Sequence, residues 1–263
     1  MPKKLESPRQ LGLNKKKKSK VPLIILLVML GLLVMPVAGF LVYSFTSFEA
    51  EPSAVLAMGS SSTVTVVTED DLIIFKPANP VAETALVFYP GLRIDYRAYA
   101  SSMREIAENG YYAVIVGMFM NNASLGADNA DKVLPKLPHI KNWVIGGHSV
   151  GGTMASYYAV NHNFIDGIVF WGAYATNDLS LSNMKALSVT GSTDKIAPQE
   201  SVDEAAAFMP AESEYVVIEG GNNSGFASIS SLQNGEDEAE IAYADQQKQA
   251  VKATLELLAK VSS

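Results

Sequence analysis

Beyond about residue 63 the chain switches between two rhythms, short apolar runs of strand length and longer stretches with apolar residues three and four apart. Thr63-Val64-Thr65-Val66-Val67-Thr68 and Leu72-Ile73-Ile74-Phe75-Lys76-Pro77, split by the acidic turn Glu69-Asp70-Asp71, predict a β-hairpin. Ala85-Leu86-Val87-Phe88-Tyr89 is a continuous apolar run, as expected of a strand covered on both faces, and Pro90-Gly91 ends it. Further strands are predicted at Tyr111–Met118, Trp143–Gly146, Phe164–Trp171, Lys185–Thr190 and Glu214–Ile218. Helices are predicted at Tyr96–Asn109, with Gly110 as its carboxyl cap, at Ala127–Leu134, Gly151–Val160 and Gln199–Phe208, and over the amphipathic stretch Ala244–Val261. Such alternation builds a mainly parallel sheet with helices on both faces, opened here by an antiparallel hairpin. Sites in this architecture lie beyond the carboxyl ends of the strands.

The amino-terminal part has a different pattern. Val21 to Tyr43 is a run of 23 residues without a formal charge, long enough as a helix to cross a hydrocarbon layer of about 30 Å. A cleaved secretory signal has an apolar region of only about 7–15 residues before a small-residue cleavage site. This run is longer and lacks a clear A-x-A site, so it reads as an uncleaved signal anchor contacting membrane lipid. Pro22 falls in the first turn, and Pro36 is expected to kink the helix. The expected organisation is a basic tail at 1–20, a span at 21–43, a linker or short packed arm at 44–62 and a folded domain at 63–263.

Charge sharpens that division. The first twenty residues hold eight Lys and Arg against Glu6 alone, so the remainder carries −14 within a net charge of −7. Basic residues before the span place the amino terminus in the cytoplasm and the domain outside, with the lysines against anionic headgroups. An acidic domain is a poor partner for nucleic acid. Cysteine is absent and only His139, His148 and His162 are present, so thiol chemistry is excluded and no metal site is expected.

The candidate chemistry centres on Gly147-His148-Ser149-Val150-Gly151, set between a predicted strand and a predicted helix. That context is what a nucleophile elbow requires: a tight turn lifts a serine Oγ above the sheet, and glycines let strand and helix approach. Four further motifs accompany it: Phe88-Tyr89-Pro90-Gly91, Asp95-Tyr96-Arg97-Ala98-Tyr99, Gly191-Ser192-Thr193-Asp194 and Glu219-Gly220-Gly221-Asn222. With these, the chain from about Thr63 onward resembles the bacterial α/β-hydrolases of the dienelactone-hydrolase-like kind. The resemblance implies an α/β-hydrolase fold and acyl-ester hydrolysis through Ser149, with no cofactor and a small ester-like substrate.

A serine hydroxyl needs a base, a group to orient that base, and N–H donors for the oxyanion. Val150 N–H is one expected donor, and Leu92 or Gly91 the second. Asp194 follows in the order expected of the triad acid. The base is missing. In the family the histidine directly follows the Glu-Gly-Gly-Asn run, where this chain has Asn223, and an amide has no basic nitrogen at ordinary pH. His148 reads as a packing or orienting residue. His139 and His162 fall at the opposite end of the sheet, His162 about 20 Å away along the helix. Loss of a triad member leaves roughly 10³- to 10⁴-fold catalysis over water. The readings are therefore a weakly active serine hydrolase, a pseudohydrolase that binds a ligand or envelope partner, or a purely structural domain. A carboxylate from Glu236-Asp237-Glu238 is a conceivable substitute base, although the segment Gly235–Glu240 reads first as a solvated loop. Tyr89, Tyr96, Tyr99, Met118 and Phe119 are expected at the mouth of the pocket or in the core.

Overall fold

The computed structural model describes residues 19–263; most of the basic tail expected at 1–20 lies outside the described residues. Two compact units divide at Tyr43 and Ser44. The described part of the first unit is helix α1, Val21–Phe45, as far as Tyr43; the helix continues through Pro36. Its segment Val21–Tyr43 has a mean hydropathy of 2.8 and is long and apolar enough to cross a membrane.

The second unit is built on one eight-stranded sheet. Its strands are β1 Val64–Glu69, β2 Leu72–Pro77, β3 Thr84–Tyr89, β4 Tyr112–Val116, β5 Asn142–His148, β6 Ile165–Trp171, β7 Lys185–Gly191 and β8 Ser213–Ile218, in the order β1-β2-β4-β3-β5-β6-β7-β8. β2 runs antiparallel to β1 and β4, and all other neighbours are parallel. Asp70 and Asp71 close the β1–β2 hairpin with φ of 49° and 63°, the two left-handed residues of a turn that matches strand twist.

Helices α3 Ala100–Glu108, α4 Val150–Asn161, α5 Gln199–Ala205 and α6 Tyr243–Val261 cover the sheet, with a short α2 at Pro52–Leu56. Side chains alternate across each strand, so the central strands feed two cores. Leu86 and Phe88 join Met103 and Ile106 of α3 and Val251, Leu257 and Leu258 of α6 on one face. Ala85, Val87 and Tyr89 join Ala155 and Tyr158 of α4 on the other. This double burial is why the central strands read as unbroken apolar runs.

Two local expectations change, and a choice left open at 44–62 is decided. The helix expected from Tyr96 is a 3₁₀ turn at Tyr96–Tyr99 leading into α3, and Ala127–Leu134 is a succession of 3₁₀ turns, Ala127–Lys132 and Leu134–Lys136. The linker at 44–62 packs onto the second unit: Ala54 is fully buried, and Phe48 and Ala50 form β-bridges to Ile94 and Ile229. Apolar side chains at Phe48, Ala50 and Ala57 drive that docking against the α3 face.

Candidate active site

β5 delivers the chain to the elbow, and α4 carries it away. Ser149 sits between them with φ 52° and ψ −124°, a conformation that L-residues adopt only under constraint. The constraint is visible on both sides. The Ser149 N–H donates to Trp171 O at 3.0 Å, and a Cβ at Gly151 would lie 2.3 Å from Tyr89 O, so helix and strand touch backbone to backbone.

Val150 opens α4, and its N–H is one of the unpaired donors of a helix amino terminus. Among the described residues the Leu92 N–H and the Ser149 hydroxyl have no hydrogen-bond partner. Gly91, the alternative to Leu92 as oxyanion donor, is corrected: its N–H donates to Tyr99 Oη at 3.0 Å and is not available.

Behind the serine runs a buried chain of polar groups. Tyr99 Oη lies 2.8 Å from His148 Nδ1, and His148 Nε2 lies 2.8 Å from Asn223 Oδ1. Asn223 Nδ2 donates to Asp194 Oδ2 at 2.8 Å and to Gly172 O at 3.0 Å. The Tyr99 oxygen already accepts from Gly91, and burial pushes its phenol pKa well up, so its one proton goes to His148 Nδ1. His148 is then neutral with its proton on Nε2, which donates to Asn223. Burial lowers its pKa to about 4, in keeping with that neutral state. Both ring nitrogens are committed, so His148 orients and does not take a proton from Ser149.

Asp194 closes the chain. Its Oδ1 accepts from Ile196 N and Ala197 N at 2.9 and 2.7 Å, capping the turn after β7. Burial raises its pKa to about 6, against the pull of the Ala197 and Asn223 hydrogen bonds. Gly172, at φ 50°, has no room for a side chain: a Cβ would lie 2.6 Å from Asn223 Nδ2. Asn223 thus stands beside Asp194, as the family histidine would, but without a basic nitrogen.

The acidic segment is not simply a solvated loop. Glu236 is 7% exposed, and its carboxylate accepts from the N–H groups of Lys195 (2.9 Å), Asn223 (2.6 Å) and Ser224 (3.2 Å). Gln233, equally buried, donates from Nε2 to Asn223 Oδ1 at 3.1 Å and from its backbone to Ser224 Oγ at 3.0 Å. Asp237 pairs with Lys195 at the surface. Residues 230–242 therefore form a strap over Asn223 and Asp194, and Glu236 is committed to backbone donors and is not a free base. The strap has no periodicity that would mark it in the sequence. Its one signal is length: Ala227 to Ala242 contains no helix or strand, and irregular connections longer than about 12–15 residues are usually functional.

The other expected positions sort simply. Tyr89 and Tyr99 are fully buried and belong to the core, whereas Phe119 is exposed. His162 caps the far end of α4, where it stacks on Tyr158, and His139 packs edge-on to Tyr112 at the start of β4. Among the described residues no group of three His, Asp or Glu side chains is arranged to hold a metal ion.

A parallel sheet of this strand order, carrying a strained serine elbow after β5 and an acid after β7, defines the α/β-hydrolase class. The family model for the alpha/beta hydrolase family matches residues 85–248, and the chain belongs to that family. Among solved structures it is similar to a protein from Klebsiella pneumoniae subsp. pneumoniae, provisionally named a dienelactone hydrolase. The TM-score is 0.51 at 15% identity, covering 72% of this chain and 92% of that one; such a likeness shows the fold. No curated protein matches the chain by sequence.

Proposed function

We propose that this is a membrane-anchored, extracytoplasmic member of the hydrolase family that binds small ester-like ligands at Ser149 and turns them over very slowly or not at all. One observation carries the reading: every hydrogen-bonding position of the Asn223 side chain is occupied by His148, Gln233, Asp194 or Gly172. Among the described residues the nearest titratable groups in this network, His148 and Glu236, are committed as well, which supports the absence of a base for the serine proton. The unpartnered Leu92 N–H and the amino terminus of α4 at Val150 support an oxyanion hole as the carbonyl-binding half of the machinery. The strained backbone of Ser149 favours a second reading, residual serine esterase activity, because such strain persists at working sites. The span at Val21–Tyr43 anchors the domain, and the basic residues before it put the amino terminus in the cytoplasm.

The test is labelling of the full-length protein by a fluorophosphonate, with Ser149→Ala as control. Slow labelling that depends on Ser149 is expected. Fast, stoichiometric labelling of Ser149 would overturn the impaired-base reading in favour of an efficient esterase.

A further inference from the structure

The asparagine at 223 is held by four groups of two kinds, and the arrangement has a direction. On the Nδ2 side stand two acceptors, Asp194 Oδ2 at 2.8 Å and Gly172 O at 3.0 Å. On the Oδ1 side stand two donors, His148 Nε2–H at 2.8 Å and Gln233 Nε2–H at 3.1 Å. His148 is fixed as a donor at Nε2 because its Nδ1 accepts the hydrogen bond of the Tyr99 hydroxyl. Asn223, His148 and Gln233 are all buried, so each partner lost here is a buried group left unpaired.

A carboxamide satisfies all four groups at once, because it presents an oxygen on one side and an NH₂ on the other. An imidazole does not. With Nδ1–H toward Asp194, as a base requires, its other flank is a C–H facing two donors. Turned over, its Nδ1 accepts from His148 or Gln233, and the contact to Asp194 is lost.

We propose that Gln233 and His148 are positioning residues that select an amide at 223, so that the strap and not Asn223 alone keeps the site without a base. The proposal rests on the reading of Asn223 as standing in the base's place. Gln233 is the adjustable member, since it comes from the strap and its only side-chain hydrogen bond among the described residues is to Asn223.

The experiment is a double-mutant cycle on the full-length protein in detergent: natural, Asn223→His, Gln233→Leu and both together. Thermal midpoints and the rate of Ser149 labelling by a fluorophosphonate are both measured. Asn223→His alone is expected to lower the midpoint by several degrees and raise labelling less than tenfold. Adding Gln233→Leu to it is expected to recover part of the midpoint and raise labelling at least tenfold further. Additive midpoint shifts, or a full labelling gain from Asn223→His that Gln233→Leu does not change, would overturn the proposal. Non-additive midpoints with no labelling in any of the four proteins support the selection of the amide and overturn the ester-site reading instead. Nitrogen NMR of His148 in the natural protein gives a check independent of variant folding: a proton on Nε2 is expected, and a proton on Nδ1 would overturn the argument.

Discussion

Glu236→Ala is the sharpest perturbation of the strap. The carboxylate accepts three backbone N–H groups, from Lys195 after β7 and from Asn223 and Ser224 after β8, so it ties the acid turn to the loop of residue 223. Truncation leaves three donors unpaired where water has little access, each costing about 1–3 kcal/mol. The upper end is not reached, because a strap freed at this point can lift and admit water. A loss of about 3 kcal/mol is expected, which in a domain of this size lowers the melting temperature by about 6–12 °C. Glu236→Gln keeps one acceptor oxygen but turns an NH₂ toward a donor, and should lose less. The assay is thermal unfolding of the full chain in detergent, with hydrogen exchange at residues 195, 223 and 224. A fall below about 2 °C, with exchange at those amides unchanged, would refute the assignment of Glu236 as the fastener.

Three further outcomes follow from the same geometry. Asp194 and His148 act oppositely on the pH dependence of stability. With its folded pKa raised to about 6, Asp194 contributes stability that is full below about pH 4 and lost as pH rises through 6. His148, lowered to about 4, contributes stability that is full above about pH 6.5 and lost as pH falls through 4. Each amounts to about 3 kcal/mol, so together they nearly cancel between pH 4 and 6.5; Asp194→Asn should leave a stability that rises with pH across that window, and a flat profile in thermal melts would contradict the assignment. Gly151→Ala places a methyl group 2.3 Å from Tyr89 O, between two backbones that cannot both yield, and should lower the melting temperature by about 2–12 °C or prevent accumulation of folded protein. Tyr99→Phe removes the hydroxyl that serves both Gly91 N and His148 Nδ1, for a loss of about 1–3 kcal/mol measurable by denaturant unfolding.

Much of this was legible in the order of residues. The central strands announce themselves because burial on both faces removes polar positions from Leu72–Phe75, Ala85–Tyr89 and Ile168–Trp171. The elbow is legible because only glycines tolerate the approach of α4 to β3, and Asp194 because it follows its strand in the expected order. The apolar length of Val21–Tyr43 is likewise legible, since being long and apolar enough to cross a membrane is a matter of length and composition. That an asparagine follows the Glu-Gly-Gly-Asn run at 223 is also a fact of sequence.

What surrounds Asn223 is not. The proton direction from Tyr99 through His148 depends on which atoms lie within 3 Å of one another across residues 91, 99, 148 and 223, and no local pattern encodes such a meeting. The same holds for the strap. Glu236 and Asp237 are adjacent acids with the same intrinsic preference for water, yet one is buried against three backbone donors and the other pairs with Lys195 at the surface. Their fates differ because the tertiary fold brings the turns after β7 and β8 together with unpaired N–H groups that one carboxylate can satisfy. Sequence determined that residue 223 is an amide; the fold decided that this amide is held from four sides.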